Sequence, residues 1–178
     1  QGQVKNARSG LLPFVIAAIF LVIAGIYGSL SLDVASENIV MLVAAAIIGG
    51  YMALNIGAND VNNNMGPAVG GKVLTVTAAV VIAAVCESAG AILAGGDVVQ
   101  TVAKGIINPG DGVTATDFRN LMLSALFAAA LWINLATFLN APVSTTHSIV
   151  GGVMGAGIAG AGFGLVNWIT MSKIAASW

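Results

Sequence analysis

Long runs of residues that are apolar on every side dominate this chain. Five could cross a bilayer, over about 11–30, 39–58, 73–95, 121–139 and 149–165. A hydrocarbon core of about 30 Å needs roughly 20 apolar helical residues. Backbone cannot cross lipid with unpaired amides, so the runs predict α-helices or barrel strands. Barrel strands would alternate strictly over about ten residues. Runs such as Val43-Ala44-Ala45-Ala46-Ile47-Ile48 do not alternate. The expected fold is therefore all-α, a polytopic transmembrane domain over 1–178.

The connections differ from one another. Residues 31–38, with Asp33 and Glu37, read as a short acidic loop. Over 97–107, Val98, Val99, Val102, Ala103, Ile106 and Ile107 are spaced as one helical face, with Asp97, Gln100, Thr101 and Lys104 opposite. That pattern predicts a short amphipathic helix at the membrane surface. A turn at 108–112 follows, and Thr116 with Asp117 could cap the next helix. Lys5 and Arg8 precede the first run, which favours a cytoplasmic N-terminus. That run is too long for a signal peptide's apolar region. The first residue is Gln1 rather than Met, and the last residues read as the opening of a sixth apolar helix near Val166. Both ends suggest an excerpt of a longer protein.

Composition narrows the class further. Of 178 residues, 58% are hydrophobic and 7% charged, with six basic and seven acidic side chains. Soluble domains carry roughly 25% charged residues, so a soluble enzyme is excluded. Six basic residues make no patch for a nucleic-acid backbone. The single cysteine, Cys86, cannot form an internal disulfide.

With so few polar residues, their placement is informative. The stretch 55–67 holds five asparagines (Asn55, Asn59, Asn62, Asn63, Asn64), Asp60, Gly57, Gly66 and Pro67. Asn, Gly and Pro are poor helix formers, which predicts that the second span unwinds there. Irregular backbone at membrane depth persists only where it lines a cavity or is buried in protein. Charged Asp60 at mid-membrane would cost about 2.5–3.5 kcal/mol, which a sodium ion or a proton would offset. The alternative is a polar loop in water. A second interruption, 140–148, holds Asn140, Pro142, Ser144, Thr145, Thr146, His147 and Ser148. Pro142 suits a first helical turn. A helix start with three hydroxyls can cradle an anion without arginine. The alternative is a plain Ser/Thr cap.

Glu87 lies inside the third span and is either functional or a hydrogen-bonded pin between helices. His147, the only histidine, either relays a proton or bonds a neighbouring carbonyl. One His and one Cys far apart give no metal-site spacing. The fifth span is crowded with small residues, and the pairs Gly151/Gly155 and Gly160/Gly164 predict close helix contact. Two nucleotide-binding look-alikes fail on context. Residues 66–72 match GxxxxGK but continue with Val73 instead of a hydroxyl, and 155–160 match GxGxxG with no acidic residue downstream.

Gly57-Ala58-Asn59-Asp60-Val61 followed by Gly66-Pro67-Ala68-Val69-Gly70 resembles the signature of inorganic phosphate transporters of the PiT type. Pro142-Val143-Ser144-Thr145-Thr146-His147 resembles that family's second motif, and 87–91 and 94–99 are also similar to it. The resemblance implies an inverted-repeat fold with broken or re-entrant helices, of which this chain would be the N-terminal half. It implies phosphate symport with Na+ or H+ by alternating access, with no cofactor. Asn59 and Asp60 map to the ion and substrate region, with Asn63 beside them as a cation ligand. Ser144, Thr145 and Thr146 map to the phosphate contacts, while Glu87 and His147 are coupling candidates. The expected partners are phosphate, the cation, the bilayer and the C-terminal half; a homodimer stays open, and nucleic acid is not expected. The expected location is the cell membrane, the inner membrane in a bacterium. A sulfate permease of the same architecture is the nearest alternative. An anion channel is disfavoured by Asp60, and an intramembrane enzyme by the lack of an acid to orient His147.

Overall fold

Apolar runs with no polar face bury nothing selectively in water, and they form the longest helices here. The computed structural model describes residues 8–30, 39–108 and 113–178. Its helices are α1 (Arg8–Leu30), α2 (Ile39–Gly70), α3 (Val76–Gln100), α4 (Ala115–Phe138), α5 (Thr145–Ala161) and α6 (Trp168–Ser177). Four of them, α1 to α4, are long and apolar enough to cross a membrane. The expected loop with Asp33 and Glu37, the basic Lys5 and residues 109–112 of the expected turn at 108–112 lie outside the described residues.

The chain divides into two compact units, Gln1–Leu54 and Asn55–Trp178. In the first, α1 lies against the early turns of α2, with Leu21, Gly25, Val43 and Ile47 lining a shared groove. In the second, α4 and α5 form a tight hairpin. Gly152 makes the hairpin close: a Cβ there would stand 2.7 Å from the Ala125 carbonyl oxygen. The expected pairing through Gly151 and Gly155 is not what brings the helices together, because a Cβ at either would have nothing within 4 Å. The core of this unit is Ala125 of α4, Val150 and Val153 of α5, and Ile106, Ile107 and Leu165.

Three further expectations are corrected. The helix does not unwind at 55–67: α2 continues through all five asparagines and Pro67 to Gly70. Propensity is a weak prior that tertiary partners override, and those partners are described below. Nor is 97–107 a separate surface helix. α3 runs through Asp97 to Gln100 and passes into a π-helical turn, Thr101–Gly105. The C-terminal part of the apolar face meant for the membrane surface finds protein instead, while Val98 and Val99 stay exposed. Ile106 and Ile107 are fully buried, and Val102 packs on the same core. Ile107 pairs antiparallel with Val166, closed by Asn108 N donating to Leu165 O and Asn167 N donating to Ile106 O, both at 2.9 Å. Finally, the fifth helix is Thr145–Ala161 rather than 149–165. It stops where Gly162 takes φ +85°, a conformation that suits glycine.

α2 and α4 end alike. Val73 N bonds Ala68 O and Lys72 N bonds Val69 O, with Lys72 at φ 59°. Ala141 N bonds Ala136 O and Asn140 N bonds Thr137 O, with Asn140 at φ 54°. Both are Schellman caps, which satisfy the last carbonyls by turning one residue left-handed. The GxxxxGK look-alike at 66–72 is thus a helix end, not a phosphate loop.

Candidate functional site at the meeting of two motifs

Residues four apart on a helix share a face. Asn55, Asn59 and Asn63 therefore form one stripe on α2, and the stripe meets α4. Asn134 Nδ2 donates to Asn55 Oδ1 at 2.9 Å. Asn59 Nδ2 donates to Thr137 Oγ1 at 3.1 Å. Asn63 Nδ2 donates to Asn59 Oδ1 at 2.8 Å and to Val143 O at 3.3 Å. Asn55 and Asn59 are buried at 5% and 4% exposure, so these bonds satisfy amides that water does not reach. An asparagine whose side chain bonds across a helix interface no longer competes for its own backbone, which removes its main reason to unwind the helix. Asn62 and Asn64, off the stripe, are exposed.

The second motif is a true break. After α4 the chain is non-helical until Ser144, an extended N-cap whose hydroxyl accepts from His147 N at 3.2 Å. Ser148 Oγ donates back to Ser144 O at 2.8 Å. Thr145, the first residue of α5, reaches the first motif: its Oγ1 donates to Asp60 Oδ2 at 2.9 Å. The two motifs lie 85 residues apart in sequence and join at this bond. A cavity of about 360 Å³ is lined by Asn59, Asn62, Asn63, Thr137, Asn140 and Pro142, among others, with neither Asp60 nor Thr145 in its lining.

The structure brings together Asn59, Asp60, Asn63, Ser144 and Thr145. Thr146 and His147 are exposed on the same first turn of α5, and the His147 ring lies 3.7 Å from that of Trp178. Glu87 stands exposed on α3 and does not line the cavity. Asn134 and Thr137 belong to the network although no motif marks them. The available signal was the four-residue spacing of Asn55, Asn59 and Asn63, which demands polar partners on a facing helix. Among the described residues no three His, Cys, Asp or Glu side chains cluster as a metal site. The group bonded to the Asp60 carboxylate is the Thr145 hydroxyl, a hard oxygen of the kind that suits a small hard cation.

A family model described as "Phosphate transporter family" matches residues 56–178. A protein of Helicobacter pylori strain J99, named as a phosphate permease, is 49% identical over 174 residues, covering 98% of this chain and 32% of that protein. "Inorganic phosphate transporter 2-1, chloroplastic" of Arabidopsis thaliana is 40% identical over 178 residues, covering 99% of this chain and 30% of that protein. The chain therefore spans about a third of the length of these relatives. Among solved structures, "The sodium-dependent phosphate transporter" superposes with TM-score 0.73 at 47% identity, over 78% of this chain and 34% of that one. Matched over most of its length, site motifs included, this all-helical multi-pass chain belongs to the phosphate transporter family.

Proposed function

We propose that the full-length protein moves inorganic phosphate across a membrane by symport with a cation, and that this segment supplies one half of the site. The hydrogen bond between Thr145 Oγ1 and Asp60 Oδ2 carries the reading. A threonine hydroxyl has one proton to donate. While Asp60 takes it, Thr145 cannot donate to a phosphate oxygen. A cation bound at Asp60 competes for the carboxylate and frees the hydroxyl for the anion. The exposed start of α5, with Ser144 and Thr146, adds helix-terminal N–H groups and hydroxyls. Loading of cation and anion is thus linked through one proton donor. Asn59 and Asn63, one and three residues from Asp60 on the same helix, supply amide oxygens that favour Na+ over H+, in keeping with the sodium-dependent structural neighbour. The inverted-repeat partner half and a bacterial inner-membrane location belong to the same proposal.

The test is uptake of labelled phosphate into proteoliposomes of the full-length protein under a Na+ gradient, with sulfate as competitor. Asp60→Asn is expected to insert normally and lose coupled uptake by at least about tenfold, the equivalent of one charge-assisted hydrogen bond. Undiminished coupling in Asp60→Asn overturns the reading, and stronger competition by sulfate than by unlabelled phosphate reassigns the anion.

A further inference from the structure

The hydrogen bonds behind Asp60 run in one direction. Thr137 Oγ1 donates to Ile133 O at 2.8 Å, one turn back on α4. Its only proton is then used, so towards α2 it can only accept. It accepts from Asn59 Nδ2, which fixes how the Asn59 amide is turned. Asn59 Oδ1 therefore meets Asn63 and accepts from Asn63 Nδ2. The second Asn63 N–H goes to Val143 O. Both Asn63 donors are consumed, and its Oδ1 is left as the terminal acceptor of the chain. Asn63 lies three residues after Asp60, the spacing of neighbours on a helix surface.

We infer that Thr137 is a positioning residue for cation binding: its hydroxyl sets the polarity of the Asn59–Asn63 amides so that the Asn63 carbonyl oxygen is presented beside Asp60. The inference rests on the cation-symport reading and commits it to Na+, because an amide oxygen does not take up a proton at working pH. Without the hydroxyl, Asn59 can turn over and donate to Asn63 Oδ1. That reversal uses up the oxygen meant for the cation while leaving Asp60 and Thr145 in place.

The experiment is phosphate uptake into proteoliposomes of the full-length protein, titrated with Na+ at saturating phosphate and with phosphate at saturating Na+. Thr137→Val keeps the shape and removes the hydroxyl. It is expected to raise the half-saturating Na+ concentration by roughly tenfold, the loss of about one hydrogen bond to a ligand-bearing group. Half-saturation by phosphate should stay within about twofold, below the effect of such a bond. Thr137→Ser, which can make the same back-bond to Ile133 O, should restore the Na+ titration. If Thr137→Val does not insert, Thr137→Ala removes the same group without bulk and serves instead. An unshifted Na+ titration in the hydroxyl-less variant, equal shifts for both solutes, or failure of serine to rescue overturns the inference. A wild-type protein indifferent to Na+ shows itself before any variant is measured and removes the Na+ symport reading as well.

Discussion

The stretches 55–67 and 140–148 look alike in composition, both polar, both carrying proline, both set between apolar runs. One is continuous helix and the other is a break. The difference lies in where their polar groups find partners. On α2 three of the five asparagines fall four apart; Asn55 and Asn59 bond across to α4 and Asn63 to Val143 beyond it, so the backbone keeps its own ladder. Before α5, Asn140 turns left-handed, Pro142 follows, and Ser144 caps the new helix with its own side chain. Local partners end a helix, whereas remote partners preserve it.

The sharpest way to break this comparison is to put proline into both stretches' logic. Ala58 lies in mid-helix on α2, where a proline removes a backbone bond and clashes with the turn before it. Ala58→Pro should destabilise the full-length protein by about 3 kcal/mol or more. Pro142→Ala, outside any helix, should cost well under about 1 kcal/mol. Both are read from thermal unfolding in detergent. Near-equal effects would mean that 55–67 is not helical in the membrane.

A smaller effect separates the local cap from the remote partners. Ser144→Ala leaves His147 N without its acceptor and should cost about 1 kcal/mol. It should also loosen the first turn of α5, seen as faster amide exchange at 145–148 with 55–67 unchanged. Exchange that rises equally in both stretches would show that they are one cooperative segment.

How much of this was readable beforehand follows the same division. Runs apolar all round announced α1 to α4 because lipid leaves helices as the only unbroken solution. The break at 140–148 was legible because Pro142 and the Ser144 cap are neighbours in the chain. The continuity of α2 was not, since it depends on Asn134 and Thr137, whose partners lie 79 and 78 residues away. The 97–107 segment misled for a related reason: an apolar helical face suits a membrane surface and a protein core equally well, and only the pairing of Ile107 with Val166 decides. At the candidate site, residue types alone raised Asp60 and the Ser144–Thr146 hydroxyls as expectations, of which the structure joins Asp60 and Thr145. The bond that joins them, and Thr137 behind it, required the helices to be placed.

The smallest effect bears on what holds α2 and α4 in register. The Asn55–Asn134 bond lies one helical turn before Asn59, the buried amide at the cavity. Hydrogen bonds between membrane helices average only about 0.6 kcal/mol, because the separated helices find other partners. Asn55→Leu and Asn134→Leu, singly and together, should therefore show a coupling energy of about that size in a double-mutant cycle. The cycle is needed because either single change also swaps an amide for an apolar side chain. Exposed Asn62→Ala, one residue off the stripe, should stay within about 0.5 kcal/mol of wild type. A coupling near zero would assign the register to apolar contacts such as Ile133, buried one turn before Thr137, and would leave the asparagine stripe to serve the cavity alone.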